Sequence, residues 1–157
     1  MPSQLINHAS EYDAAIDQVL SLCVGQLDIF DRDLSTIKLE RPERIARLQQ
    51  LLSNPTCRLR IIVQDSAKVL VTQPRLLRLL DTYSAQIALQ QGADTVLELP
   101  DAMLIADATH AVIRFHRDHL RGKVIDHDAS SVTPYQTRFL DIFGEGGYPI
   151  GARATGL

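Results

Sequence analysis

The sequence predicts an α/β domain in which helices flank a mixed, mostly parallel sheet. Amphipathic helical segments alternate with short strand-like runs, and this alternation is typical of βα units that build a parallel sheet. Hydrophobic residues make up 45% of the 157 residues, enough for one buried core. We assign a single domain to residues 1–145 and a glycine-rich tail to residues 146–157.

The first half of the chain predicts helices and strands in alternation. Apolar residues at helical spacing follow Ser10 and end at Gly25, which predicts an amphipathic helix. The segment "QLDIFDRDL" then predicts a strand and a polar loop. Pro42 suits the first turn of a second helix, which stops before Asn54 and Pro55. The segment "CRLRIIVQD" predicts an interior strand that is covered on both sides.

The second half predicts a helix, a strand, a hairpin and a last helix. Thr72 is expected to cap a third helix in "QPRLLRLLDTY", and "SAQIALQQ" predicts the next strand. The runs "AMLIAD" and "AVIRF" around Asp107 predict an antiparallel hairpin, and "KVI" is the core of a short further strand. Ser131 or Thr133 is expected to cap the last helix, with Pro134 in its first turn.

Composition limits the classes of partner. The formal charge is −3, so no broad cationic surface is expected to attract nucleic acid or anionic lipid. Cys23 and Cys57 lie in apolar patterns and are typical of buried thiols in a reducing compartment. The first residues show no basic and apolar leader, and no apolar run reaches about 18 residues. We therefore expect a cytoplasmic location and no membrane partner.

One segment carries a resemblance to a known superfamily. The order and spacing of elements from "QLDIFDRDL" to "RFLDIF" resemble one half of a phospholipase D-like domain, whose signature is H-x-K-x-x-x-x-D. In the matching segment "PDAMLIADATHAVIRF", Asp107 stands at the position of the aspartate. Pro100 stands at that of the histidine and Ala102 at that of the lysine. Since neither residue can attack phosphorus or transfer a proton, the resemblance implies a domain without this catalysis.

The segments "RDL" and "RLLRL" resemble a smaller group within the superfamily. Its members are bacterial domains of unknown function that keep the order of strands and helices but lack the signature. Such domains are sometimes joined to an acetyltransferase domain. The resemblance implies a non-catalytic module that binds a partner protein or a phosphate-bearing ligand. Half-domains of the superfamily pair two chains across a two-fold axis, so a homodimer is implied as well. A scaffold or regulatory appendage whose neighbour performs the chemistry is the structural alternative.

Five residues are candidates for ligand binding. Asp31 and Asp33 follow a strand at the edge where α/β sheets collect ligands, although capping of a loop would explain them as well. Arg114 belongs to a local group of basic residues that could hold phosphate, unless nearby aspartates neutralise it. Arg75 on the flank of the third helix and Asp107 at the superfamily's aspartate position complete the set.

An enzymatic alternative rests on "HLRGKVID". His119, Arg121 and Asp126 have the superfamily's spacing with arginine in place of lysine, and arginine binds phosphate well. They would act as nucleophile, phosphate clamp and orienting carboxylate in a metal-independent phosphodiesterase or nuclease, as a homodimer. Against this alternative, the motif comes one hairpin too late and is followed by "HDASSVTP", a turn into a helix.

We expect no metal and no cofactor. The segments "HRDH" and "DHD" contain ordinary metal ligands, but His116 and His119 share a face only on a helix, and no helical apolar stripe surrounds them. Solvated loop histidines are the simpler interpretation. Nucleic acid is not expected either, because no aromatic residues are interleaved with the basic ones to stack on bases.

Overall fold

The computed structural model describes residues 3–151 as an eight-stranded sheet with five helices. The strands are β1 (Ser3–Ile6), β2 (Gln26–Asp31), β3 (Arg58–Val63), β4 (Ile87–Gly92), β5 (Ala102–Ala106), β6 (His110–Arg114), β7 (Gly122–Ile125) and β8 (Gly147–Pro149). The helices are α1 (Ala9–Leu22), α2 (Pro42–Leu52), α3 (Ser66–Thr72), α4 (Pro74–Thr82) and α5 (Ala129–Gly144).

The sheet is mixed, as predicted, but the prediction that most of its strand pairs are parallel is wrong. Its order is β1-β7-β6-β5-β2-β3-β4-β8, and only the β2–β3 and β3–β4 pairs are parallel. The other five pairs are antiparallel. Parallel neighbours need a long crossover, and helices provide it only between β2, β3 and β4. A short 3-10 turn, not an α-helix, links β4 to β5, which then runs antiparallel to β2.

Both faces of the sheet are covered. Helices α1 to α4 pack on one face, here called the α1 face, where residues such as Ile16, Leu48 and Leu76 form one buried cluster with residues of the central strands. Helix α5 covers the opposite face, here called the α5 face, with Phe139 and Val132 buried. Coverage on two sides explains why the central strands read as nearly continuous apolar runs. No helix within residues 3–151 is long and apolar enough to cross a membrane.

Several boundaries differ from those predicted. Helix α4 begins at Pro74 after Gln73, not after a Thr72 cap, because residues 66–72 already form α3, a helix that was not predicted. Helix α5 begins earlier than expected, because the Asp128 carboxylate accepts the backbone N–H of Ser131 and caps the helix. Pro134 consequently lies inside the helix rather than in its first turn.

The first and last strands of the described residues are the two edge strands of the sheet. Strand β1 pairs with β7, and β8 pairs with β4. Strand β8 lies within the segment assigned to a glycine-rich tail, and Ile150 directly after it is buried. Residues 152–157 lie outside the described part of the chain, so the division at residue 146 stays a prediction.

Candidate functional site

Three neighbouring strands place two charged side chains beside a small one on the α1 face. Cross-strand pairing puts Ala102 of β5 opposite Arg114 of β6, which in turn lies opposite Gly122 of β7. On the other side of β5, the register of β2 places Asp31 beside Ala102. Directly opposed residues project from the same face of a sheet. The position assigned to the superfamily's lysine is therefore flanked by a carboxylate and a guanidinium.

Arg114 is buried and keeps an unused donor. The residue is 8% exposed, and its Nε donates a hydrogen bond of 2.9 Å to the carbonyl oxygen of His119. The guanidinium carbon lies over the ring of Tyr12, 5.4 Å from its centroid. Its Nη1 is shielded from solvent and has no hydrogen-bond partner in the described structure. A buried N–H group without a partner lowers the stability of the fold. Such a group is therefore expected where a ligand supplies the missing acceptor.

Asp31 is a buried carboxyl group without a salt bridge in the described structure. It is 3% exposed, and its Oδ2 accepts the backbone N–H of Leu34 at 3.1 Å. Burial raises the pKa of Asp31 to about 6, and the charge of Arg114 acts in the opposite direction. Burial and the Asp31 charge together also raise the pKa of Tyr12 far above its ordinary range, so that its phenol stays neutral.

Asp33 is tied into its own loop. Its Oδ1 accepts hydrogen bonds from the backbone N–H and the hydroxyl of Ser35 at 3.0 and 2.6 Å, and Lys68 Nζ lies 3.2 Å from Oδ2. Burial alone would raise the pKa of Asp33, but the Ser35 hydrogen bonds and Lys68 lower it below its ordinary value. Its carboxylate acts at a distance by raising the pKa of Asp31.

A loop over residues 115–121 closes this end of β5 and β6. The backbone N–H of Arg117 donates to the carbonyl oxygen of Pro100 at 2.7 Å, and Arg117 Nη1 donates to Leu99 at 3.0 Å. Pro100, which the resemblance aligns with the superfamily's histidine, therefore lies against the backbone of this loop. A proline side chain offers no group able to attack phosphorus.

A cavity opens beside this row of residues. It has a volume of about 300 Å³ and is lined by Leu5, Ile6, Asn7, Phe115, Arg121 and Gly122. Gly122, the cross-strand neighbour of Arg114, has no side chain, and a Cβ there would lie 2.1 Å from the carbonyl oxygen of Ile113. The cavity therefore lies one strand away from Arg114 and has the Arg121 cation in its wall.

Asp107 has a different role at the opposite end of the sheet. Its two carboxylate oxygens accept the backbone N–H groups of Val24, Gly25 and Gln26, each at 2.8 Å. These bonds hold the start of β2 against the β5–β6 turn. Arg75 is likewise occupied, because its Nη1 and backbone N–H both contact Glu40. The structure thus brings Asp31 and Arg114 together and leaves Asp107 and Arg75 apart from them.

Replacing Asp107 with alanine should lower the free energy of unfolding by about 1–2 kcal/mol, because three N–H groups lose a charged acceptor. Chemical denaturation measures this loss. Asp118→Ala is the control, since the Asp118 side chain is 71% exposed and its substitution should have little effect. Equal losses in the two variants would contradict the role given to Asp107.

The structure does not bring His119, Arg121 and Asp126 together. The backbone of His119 contacts Arg114 at the carboxyl end of β6, whereas Asp126 follows β7 and contacts His110 at the opposite end of β6. The length of β7 separates the two halves of the motif. These three residues have the spacing of the signature in the sequence, but they do not line a common pocket in the fold.

Tyr12 is the member of this site that the sequence did not indicate. It belongs to the apolar stripe of α1 and is 5% exposed, as a core residue would be. Only its contact with the Arg114 guanidinium distinguishes it from its neighbours on the helix. A buried phenol in an otherwise aliphatic stripe was the available signal.

Comparison with known families decides the classification. Residues 8–146 match the domain of unknown function DUF7931. The chain belongs to the DUF7931 family. No curated protein sequence matches it.

Solved structures show the fold of this DUF7931 domain. Nuc from Salmonella typhimurium, a phospholipase D family member, is 12% identical with a TM-score of 0.62, over 96% of this chain and 98% of Nuc. NucT from Helicobacter pylori is 13% identical with a TM-score of 0.57, over 95% of this chain and 98% of NucT. TrmBL2, an archaeal chromatin protein, is 9% identical with a TM-score of 0.68; the match covers 92% of this chain but only 53% of TrmBL2.

The DUF7931 domain therefore has a phospholipase D-like fold, which confirms the resemblance in its sequence. At these identities the likeness concerns the fold alone. The positions of Pro100 and Ala102 remain the basis for expecting no phosphodiester chemistry.

Proposed function

We propose that this DUF7931 domain is a non-catalytic phospholipase D-like module that binds a phosphate-bearing ligand beside β6. The proposal rests on one observation, the buried Nη1 of Arg114, which lacks a partner among the described residues and belongs to the residue that pairs with Ala102 across the strands. In the superfamily a lysine at the position of Ala102 would hold the phosphate. Here the guanidinium arrives from the neighbouring strand, and the small side chain leaves it room.

The charges around Arg114 fit an anion whose affinity depends on pH. Arg121 adds a second cation in the wall of the adjacent cavity, and arginine donors match the oxygens of a phosphate. Asp31 is the opposing charge on the same face. Because its pKa is about 6, it is mostly ionised at pH 7.5 and mostly neutral at pH 5. Loss of this negative charge should strengthen the binding of an anion as the pH falls.

Inorganic phosphate and phosphoserine are suitable probes, followed by chemical-shift changes in nitrogen-labelled protein. We expect the Arg114 and Gly122 regions to respond, and Arg114→Met to weaken binding about 10-fold or more, as for loss of a charge-assisted hydrogen bond. Arg58→Met is the matched control, because it removes the same charge from an exposed residue at the start of β3. The site would be refuted if both substitutions weakened the binding of phosphate equally, or if neither changed its affinity.

An activity assay on the same protein tests the enzymatic alternative. Bis-(p-nitrophenyl) phosphate should be bound without turnover, with or without added metal ions. Turnover by the wild type that disappears in His119→Ala would support the phosphodiesterase and end the non-catalytic proposal.

Pairing of two chains belongs to this proposal. Leu5, Phe115 and Leu120 lie around the same end of the sheet and expose 74, 40 and 38% of their surface. Large apolar side chains grouped beside a site are typical of a surface that another protein covers. Light scattering on the eluted protein should give twice the chain mass, and Phe115→Asp should return it to a monomer. A wild-type monomer at micromolar concentration would remove the homodimer.

A further inference from the structure

A second cluster of potential ligands lies at the end of β6 opposite to Arg114. It consists of His110, Asp126 and His127, and the three ligand atoms lie within 4.8 Å of one another. The Nδ1 atoms of His110 and His127 are 3.3 and 2.7 Å from Oδ1 of Asp126. Cross-strand register explains the meeting, because Ala111 pairs with Ile125 and the next positions outward are His110 and Asp126.

Two acceptor atoms, Nδ1 of His110 and Oδ1 of Asp126, lie 3.3 Å apart in this cluster. Asp126 Oδ1 is shielded from solvent and receives no hydrogen bond of good geometry from the described residues, although both imidazoles are close. His110 Nδ1 accepts the backbone N–H of His127 at 3.0 Å, so this nitrogen carries a lone pair and no hydrogen. A neutral imidazole nitrogen and a carboxylate oxygen are the forms in which these residues bind metal ions.

The surroundings resemble the outer shell of a metal site. Gln18 Nε2 of α1 donates to Asp126 Oδ2 at 2.8 Å and orients the carboxylate. The neighbouring Asp128 is unsuited as a ligand, because its carboxylate is occupied by Ser130 and Ser131. The His127 side chain is 69% exposed, so solvent can reach the cluster and fill further coordination positions.

We propose that His110, Asp126 and His127 bind a divalent transition-metal ion, with Zn²⁺ as the expected occupant. Two imidazole nitrogens and one carboxylate oxygen form a donor set that Zn²⁺ accepts, with ligand bonds of about 2.0–2.2 Å. Neighbouring ligand atoms of such a site lie roughly 3.3 Å apart, which equals the spacing of His110 Nδ1 and Asp126 Oδ1. The 2.7 Å between His127 Nδ1 and Asp126 Oδ1 would lengthen by about 0.6 Å on binding. A bound ion would replace the His127 N–H as the partner of the His110 lone pair.

The ion would fasten the β7–α5 junction to β6. His127 has a φ of 52°, in the left-handed region that histidine adopts more readily than most residues, and this turn directs its ring back to His110. The two rings stand edge to face with centroids 4.5 Å apart. Three protein ligands leave positions for water, as in zinc sites that act on a substrate rather than those that only hold a fold.

Calorimetry with Zn²⁺ and visible absorption with Co²⁺ test this proposal on the untagged chain. We expect one ion per chain with micromolar affinity or better, and a Co²⁺ spectrum of a site with fewer than six ligands. His127→Asn keeps a residue that tolerates positive φ, and it should weaken binding at least 10-fold. Asp126→Asn, which can keep the Gln18 hydrogen bond, should do the same.

His116→Ala and His119→Ala are the matched controls. Their rings form the other histidine pair of the described chain, with centroids 5.1 Å apart, and their loss should leave affinity unchanged. Far-ultraviolet circular dichroism verifies that each variant is folded. A wild type that binds no Zn²⁺ at 100 micromolar, used here as a rough upper limit for a site of this donor set, would overturn the proposal. Binding that survives His127→Asn but not His116→Ala would overturn it as well.

Discussion

Replacing Arg60 with alanine should lower the free energy of unfolding by about 3–5 kcal/mol, because it leaves a buried carboxylate without its cation. Asp28 of β2 is 1% exposed, and Arg60 of β3 reaches it with two parallel hydrogen bonds of 2.7 and 2.9 Å. Gln26 and Gln136 donate the remaining bonds to the same carboxylate at 2.9 and 3.0 Å. These amides cannot neutralise its charge.

The aromatic residues of α5 add to the expected loss. The Arg60 guanidinium lies over Phe139 and Phe143, 5.6 and 5.4 Å from the ring centroids. Removing it therefore takes packing from the α5 face as well as charge.

Urea denaturation at neutral pH measures the effect of Arg60→Ala. Arg58→Ala is the control on the same strand, since that side chain is exposed and bonds only to nearby backbone carbonyl groups. The double variant Asp28→Leu/Arg60→Met should recover most of the loss, because it removes both charges together. If Arg60→Ala cost no more than Arg58→Ala, the ion pair would contribute little to the fold.

Asp31→Asn should act in the opposite direction and stabilise the protein above pH 7. Burial raises the pKa of Asp31 from 3.8 to about 6 in the folded state. The folded protein therefore binds this proton more tightly than the unfolded chain, and stability falls as the pH rises between these two values. Above pH 6 the full penalty is present, about 3 kcal/mol for such a difference. Asparagine carries no charge and removes the penalty.

We expect Asp31→Asn to gain about 1–3 kcal/mol at pH 7.5, less than the full penalty because the amide accepts fewer backbone hydrogen bonds. The gain should shrink to nothing near pH 4, where aspartate is neutral as well. Asp33→Asn is the informative control from the same loop. Its pKa is lowered rather than raised, so its substitution should cost stability at pH 7.5 and cost less in acid. A gain for Asp31→Asn that does not change with pH would contradict the assignment of its pKa.

The fold could be predicted as far as local patterns specify it. The helical stripes of α1, α2 and α5 and the hairpin around Asp107 are visible in the sequence because each buries one face or one pair of runs. The direction in which β5 meets β2 is not visible, since it depends on a connection that contains no helix. Strands β1 and β8 have only four and three residues, too few for an alternating pattern to stand out.

For the candidate sites too, the sequence indicates single residues but not which of them lie close together. Asp31 could be named from its position at the end of a strand and Arg114 from the basic residues near it in the sequence, but their proximity depends on the sheet order and on the small side chain of Ala102. The segments "HRDH" and "DHD" contain metal ligands, but no metal was expected from either of them. The cluster combines Asp126 and His127 of "DHD" with His110, and only the register of β6 and β7 places His110 beside them.

The pairing of β1 with β7 has a consequence for how this chain is made. Ser3 pairs with Ile125, so β1 leaves the ribosome well before its partner strand β7 has been synthesised. A nascent chain must hold one border of its sheet open for that time, and pairing across such long sequence separations is slow. Unpaired strand edges are also sites of misassembly, so β1 is open to wrong pairing during the interval before β7 emerges.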